Sequence, residues 1–339
     1  MIRQRNVAGA APYHRLPVLV TFDVELSTGR PFSNPDDFRR NLASAIYGGA
    51  EGRFGLPFQL EMLKRHGLKG VFFIETLSAD VVGAPALAEI VALVRSFEQE
   101  VQLHVHTEWL RHYPGDTRRK LGLNHDYDNI GDFDRDRQVA ILRHGLDNLR
   151  AAGVADVRAF RAGNFGASPD TLAALSILGI AFDASYNACF AHAGGICRVA
   201  GEGSVHDCVP IAGIVEVPVT CFDDRVFGMR PLQVCSVSLA EMLKGLRLAH
   251  DARRRMAVVV SHSFELLNRG RTKANPMHVA RFVGLCRFLA DHRDTMPTIG
   301  FADLNPDVLG ETPAAAPLRS SALFTLPRVG LQLFGRIYG

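Results

Sequence analysis

LPVLVTFDVE, residues Leu16 to Glu25, is a compact apolar run that ends in two acidic residues. Unbroken hydrophobicity of this length reads as a strand buried on both faces, as in a parallel sheet, with a polar mouth at its C-terminal end. The same arrangement recurs downstream. KGVFFIE, VQLHVH, VRAFRAG, IAFDASY, VEVPV and MAVVVSHS are further strand candidates. Between them lie helical patterns over LPFQLEMLKRHG, about 85–98, about 133–152, SPDTLAALSILG, about 238–250 and 276–293. Gly67 stops the first of these, Pro85 opens the second, and Ser168 before Pro169 marks another start. TIGFADL, residues 298–304, is a candidate for closing the sheet. No linker and no fixed-period repeat divides the chain, and neither GxGxxG nor a Walker A loop follows the first strand. One α/β domain is expected.

Composition narrows the function class. The chain of 339 residues is 47% hydrophobic and 22% charged, which suits a globular protein with a sizeable core. Its 38 basic and 35 acidic residues leave a net charge of +3, too small to point to nucleic acid. No apolar window is long enough to span a membrane and no signal-peptide core precedes Leu16, so a cytoplasmic location is the default expectation. The six cysteines contain no CxxC pair and read as reduced thiols rather than a disulfide framework or a zinc knot.

The chemistry is concentrated at the strand ends. TFDVE, LHVHTE, FRAGNFG, FDASY and VSHS all finish apolar runs, and in a β/α barrel such ends converge on one mouth. Asp23 and Glu25 stand two apart on the same strand face, where mutual repulsion and desolvation call for a divalent cation or a shared proton. His104 and His106 have the same spacing and offer two imidazoles to one metal. Glu108 adds a carboxylate oxygen just beyond them, giving a zinc-type ligand set with an open position for water. Arg161 needs an acidic partner, for which Asp23 is the candidate. His262 fits a general acid for a leaving amine, its ring held by Asp183 or another carboxylate. Gly163 and Gly166 allow a tight loop close to substrate. Asn164, Trp109, Tyr113 and Tyr186 are candidate substrate contacts, the aromatic ones suiting the apolar faces of a sugar ring. No G-x-S-x-G elbow supports a serine nucleophile at position 261 or 263. The polar stretch 109–132 is too long for a routine connection and is expected over the mouth.

Taken in order, these strand ends resemble the motifs of the NodB-homology polysaccharide deacetylase family, across roughly residues 16–305. The resemblance implies an irregular (β/α) barrel with about seven strands, and a divalent metal, zinc foremost, with cobalt or nickel as alternatives. It implies removal of N- or O-acetyl groups from a carbohydrate substrate. By the same resemblance Asp23 is the base, Arg161 orients it, His262 is the catalytic histidine and Asp183 the carboxylate that tunes it. The first family motif usually reads TFDDG, with its second Asp on the metal. Here that position is Val24, and Glu25 is the available substitute. The second motif is usually H-S/T-x-x-H. His104 matches its first histidine, and either His106 or Glu108 takes the place of the second. Hydrolysis of another C–N bond, as in allantoinase-like relatives, and non-catalytic carbohydrate binding are the competing readings.

The implied layout is an N-terminal extension over 1–15, a deacetylase-like barrel over 16–305 carrying the 109–132 insert, and a tail over 306–339. The apolar end of that tail, SALFTLPRVGLQLFGRIYG, is assigned in order of preference to packing on the barrel, a homo-oligomer interface, or shallow peripheral contact with a membrane.

Overall fold

A computed structural model describes residues 14–26, 37, 40, 42–48, 54–201, 203–309 and 315–321. Strand β1, Val18–Val24, is buried along its whole length. It lies between β10, Ala257–His262, and β2, Val71–Glu75, and pairs with both in parallel. The sheet continues through β3 (Glu100–Val105), β4 (Ala159–Ala162), β5 (Phe182–Asp183) and β7 (Ile214–Glu216), again in parallel. Only the edge strand β6, Val209–Ile211, is antiparallel, giving the eight-stranded order β10-β1-β2-β3-β4-β5-β7-β6. Pro210 sits in that edge strand, the position in a sheet where a missing N–H does least harm.

The sheet is curled but its ladders do not close. Leu19, Val71, Phe73, Ala159, Phe182, Val215, Val258 and Val260 meet in one apolar cluster on the concave side. The remaining edge is bridged by individual hydrogen bonds, among them Val260 N to Leu232 O (2.9 Å) and Val234 N to Val260 O (3.2 Å). The expected barrel is therefore an open, curled half-barrel. TIGFADL does not supply the closing strand. It makes a single bridge, Thr298 to Val18, and then a short 3-10 turn, Phe301–Asp303. The carboxylate of Glu100 draws the chain into that turn by accepting from Phe301 N (2.9 Å) and Ala302 N (3.1 Å). Phe301 then fills the base of the concave core, with its ring 5.8 Å from that of Phe73 and 5.4 Å from that of Phe182.

The convex side is covered by helices whose ends follow local sequence signals. Helix α1, Leu56–His66, has proline in its first turn and ends at Gly67 with φ of 61°. Helices α2 (Ala84–Ser96), α3 (Arg135–Ala151) and α4 (Pro169–Leu178) pack on the middle of the sheet, and Ser168 forms a capping box with Thr171 at the start of α4. Helices α5 (Leu239–Asp251) and α6 (Pro276–Asp291) complete the layer. None of the described helices is long and apolar enough to cross a membrane.

A smaller sheet flanks the main one. Strands β8 (Cys221–Asp223) and β9 (Met229–Pro231) form a hairpin, and β11 (Leu318–Arg319) joins β8 in parallel. The start of the tail thus packs on the half-barrel. Its stretch 322–339, like residues 1–13 and most of residues 27–53, lies outside the described residues. All six cysteines are free thiols.

Helix α5 gives a direct check on local stability. Ser238 accepts from Glu241 N (3.3 Å), while the Glu241 carboxylate accepts from Ser238 N (2.8 Å). Replacing Ser238 with Ala is expected to lower the unfolding free energy by about 1 kcal/mol, read as a lower urea midpoint with an unchanged slope.

Candidate metal centre and active site

Strand parity assembles the site. On β1, Val18, Val20, Phe22 and Val24 belong to the outer core beneath the helices, so Leu19, Thr21, Asp23 and the following Glu25 share the concave side. On β3, Val101, Leu103 and Val105 face outward, which leaves Gln102, His104 and the following His106 inward. Val24, only 1% exposed, is a core residue and not part of the mouth.

Glu25, His104 and His106 converge. His104 Nε2 is 3.0 Å from Glu25 Oε2, and His106 Nε2 is 2.5 Å from the same oxygen. One ligand atom from each residue lies within 4.8 Å of the others. The remaining ring nitrogens are fixed from behind. His104 Nδ1 donates to the Arg161 carbonyl at 2.8 Å, and His106 Nδ1 donates to Glu108 Oε2 at 2.9 Å. Each tautomer therefore presents Nε2 to the centre. A carboxylate facing two such nitrogens needs a positive charge between them, either an imidazolium proton or a cation. Burial depresses the basicity of His106, but Glu25 and Glu108 outweigh it and hold the imidazole well above its usual range. Burial likewise opposes ionisation of Glu25, but His106 and His104 hold its carboxyl well below the usual range. Two imidazoles, one carboxylate and oriented outer partners fit a divalent cation. Glu108 sits behind His106 and also accepts from Asn164 Nδ2 (3.0 Å), so it supports the ring rather than joining the convergent set.

Asp23 and His262 flank this cluster. Arg161 Nη1 donates to Asp23 Oδ1 (2.7 Å) and to Thr21 Oγ1 (2.9 Å), and Nε donates to the Ala184 carbonyl (3.1 Å). Its guanidinium lies over the Phe73 ring at 4.3 Å. Asp23 Oδ2 is left facing His262 Nε2 at 3.8 Å, and Glu25 Oε1 is 3.9 Å from the same nitrogen. His262 Nδ1 bonds Glu265 Oε1 at 2.7 Å. Burial pushes the His262 imidazole down, but Glu265, Glu25 and Asp23 together carry it up to about 9. Glu265 also accepts from Gln233 Nε2 (2.5 Å), Cys235 Sγ (3.3 Å) and Ser261 Oγ (3.2 Å). Ser261 is thus bonded to the carboxylate and not to the histidine.

Other candidates lie elsewhere. Asp183 does not reach His262. Phe182 and Ala184 face the concave core, so Asp183 points the opposite way, fully buried against Ser185 Oγ (2.6 Å) and the equally buried Glu216. Burial and the Asp183 carboxyl raise Glu216 well above the usual carboxylate range, as expected for two acids sharing one proton. Trp109, Tyr113 and Tyr186 are packed in the core at 0%, 5% and 1% exposure and present no wall to a ligand. Gly163 lies under His106, where a Cβ would come 2.7 Å from the ring, and a Cβ on Gly166 would collide with Asn129. Both glycines serve packing between site loops.

The mouth is a cleft of ≈ 460 Å³. Asp23, Glu25, His104, His106, His262 and Asn164 line it. So do Asp128 and Asn129 from the 109–132 insert, and Phe165, Phe190, Ile196 and Gln233 from other loops. Glu265 and the two phenylalanines carry no periodic or motif signal. A carboxylate three residues after His262 was the one available hint.

No family model and no curated protein matches the sequence. Solved structures do match the fold. A Mycobacterium smegmatis protein assigned as a polysaccharide deacetylase superposes with a TM-score of 0.55 at 16% identity, covering 91% of this chain and 97% of that one. The 4-alpha-glucanotransferase of Thermococcus litoralis gives 0.50 at 9% identity, covering 90% of this chain and 42% of that one. A family 4 carbohydrate esterase from Streptomyces lividans, solved with acetate, gives 0.43 at 12% identity over 89% of this chain and 97% of that one. The first two likenesses concern the fold. One fold frame carries both deacetylase and glucanotransferase names, so chemistry must be argued from the side chains.

The convergence of Glu25, His104 and His106 makes zinc affinity the decisive measurement. By competition with a chromophoric chelator, Glu25→Gln and His104→Ala are expected to lose stoichiometric binding. Glu108→Gln is expected to weaken it about 10–100-fold, as for other outer partners of ligating histidines. Gly163→Ala, which displaces the His106 ring, is expected to fall in the same range as Glu108→Gln.

Proposed function

We propose that this chain is a metal-dependent hydrolase that removes an acetyl group from an N- or O-acetylated sugar. One observation carries the reading: an arginine-held carboxylate and a glutamate-held histidine face each other at 3.8 Å beside the Glu25–His104–His106 cluster. General base and general acid chemistry need this pairing of oppositely disposed, separately oriented groups.

A divalent cation, zinc by its ligand types, would be held by Glu25, His104 and His106 and would supply Lewis acidity toward the acyl oxygen. Arg161 occupies Asp23 Oδ1, which leaves Oδ2 to take a proton from the attacking water. Water adds to the acyl carbon, and the bond from that carbon to the sugar nitrogen or oxygen breaks. Glu265 fixes the His262 ring through Nδ1, so Nε2 faces the cleft and passes its proton to the leaving amine or alcohol. Acetate and a deacetylated sugar are the products. The buried arginine also keeps Asp23 from rotating away, because both Thr21 and Ala184 hold the guanidinium in place.

In zinc-loaded protein, Asp23→Asn is expected to cut acetate release from N-acetylglucosamine oligomers by about 10²–10⁴, with zinc content unchanged. Full activity in that variant would sink the assignment of the base. Glu265→Gln is expected to lower kcat by about 10-fold or more while KM moves little. A loss in KM alone would mean that Glu265 supports binding and not proton transfer. Ammonia or carbamate in place of acetate would move the protein to a different class of C–N hydrolase.

A further inference from the structure

Phe190 is exposed, aromatic and held by its neighbours, a combination the proton-transfer chemistry does not use. It is 39% exposed and stands in the cleft wall. Its ring stacks on that of Phe165, with centroids 5.6 Å apart and planes inclined by 18°. Main-chain bonds hold it on both sides: Phe190 N donates to Asn187 O (2.9 Å) and Cys197 N donates to Phe190 O (3.3 Å). Cys189 next to it is tied to Asn187 Oδ1 (3.1 Å) and to the Met229 carbonyl (3.3 Å). Gly195 approaches so closely that a Cβ there would collide with the Phe190 carbonyl.

The residue beneath is held at a cost. Asn164 and Phe165 adopt φ of 54° and 59°, the left-handed region that a bulky side chain rarely occupies. Such strain persists where surrounding structure fixes it, and it clusters at binding and catalytic sites. Here it turns Asn164 into the cleft and seats the Phe165 ring, 8% exposed, behind Phe190. The same wall is tied together along its length. Asn164 Nδ2 reaches the Asp128 carbonyl (3.4 Å), Gly131 N donates to Gly166 O (2.8 Å), and Arg198 N donates to Ala167 O (2.8 Å). A preorganised aromatic face loses little entropy when a ligand covers it.

We infer that Phe190, seated on Phe165, is a specificity-determining platform for one flat ring face of the substrate. The ring stacks on Phe190 while its polar rim meets the Asp128, Asn129 and Asn164 side of the cleft. A purely apolar acyl chain would cover the aromatics but strip water from the cleft-facing oxygens of Asp128, Asn129 and Asn164 without replacing its hydrogen bonds, which selects against it. A pyranose, with apolar C–H faces and a hydroxyl rim, satisfies both walls. A sugar as occupant presupposes the hydrolase reading above; a ring stacked on Phe190 does not.

The test compares cyclic and acyclic substrates in zinc-loaded protein. Phe190→Ala is expected to raise KM for an N-acetylglucosamine oligomer about tenfold, with kcat changed less than about twofold. KM for the acyclic N-acetylethanolamine is expected to stay as in the parent, and Phe190→Trp is expected to restore the cyclic substrate. An unchanged KM for the oligomer, or an equal loss for both substrates, overturns the platform. Calorimetric binding of the oligomer to Asp23→Asn protein, with and without Phe190→Ala, separates the two levels. If the parent releases no acetate but binds the sugar in a Phe190-dependent way, the platform stands and the hydrolase reading fails. If acetate is released and neither KM nor binding depends on Phe190, the hydrolase reading stands and the platform fails. Absence of both acetate release and sugar binding overturns both.

Discussion

Arg161 has no exposed surface and spans the inside of the curled sheet, from β4 to the far side of β2 and β3, to reach Asp23 and Thr21 on β1. Burying a guanidinium–carboxylate pair costs several kcal/mol per ion before their attraction is counted, and such pairs are often no better than apolar replacements for stability. The pair is therefore poorly explained as a structural brace. What it does achieve is orientation. The Phe73 face, the Ala184 carbonyl and Thr21 fix the guanidinium, and the guanidinium fixes one Asp23 oxygen. The curl of the sheet is what makes this reach possible, since a flat sheet would hold β4 and β1 three strand spacings apart.

The charges at the mouth follow from that arrangement. Asp23 is balanced by Arg161, and Glu265 is balanced by the His262 imidazolium. Glu25 and Glu108 remain, each lying against His106. If one imidazole takes a proton, a negative charge is left over in a largely buried site. A divalent cation between neutral imidazoles balances both carboxylates. The charge count is compatible with the divalent cation that the donor types also fit. In that balance Glu108, behind His106, contributes charge without contributing an atom to the convergent set.

Much of this was legible in the chain because strands alternate with a period of two. That rule places Asp23 with Glu25 and His104 with His106, and it separates Val24 from all of them. The same rule would have turned Asp183 away from the mouth, but β5 is only two residues long and its sequence offers too little alternation to read. Aromatic residues carried no such information. Trp109 and Tyr186 are as suited to a core as to a binding wall, and their depth depends on contacts made by distant segments. Phe190 lies in a loop whose position is set by Asn187, Met229 and Gly195, residues with no common pattern. Glu265 was hidden because the chain turns after His262, and an extended reading of VSHSFE sends that carboxylate away from the ring. TIGFADL failed as a strand for a similar reason: one distant carboxylate, Glu100, captures its backbone N–H groups.

The two departures from the motifs that the sequence resembles are linked by geometry. Position 24 faces the helices, and Glu25 instead continues the face that carries Asp23. A ligand beyond the strand end must reach back, which suits the longer glutamate. On β3 the second imidazole, His106, stands two residues after His104 on the same concave face. Between these strands β2 ends in Glu75, whose carboxylate is engaged by Leu77 N and Ser78 N at 2.8 Å each and so stays out of the cluster. The result is a candidate ligand set drawn from the ends of two strands on either side of a third. Glu25, His104 and His106 thereby share a common centre, an arrangement that could hold a divalent cation.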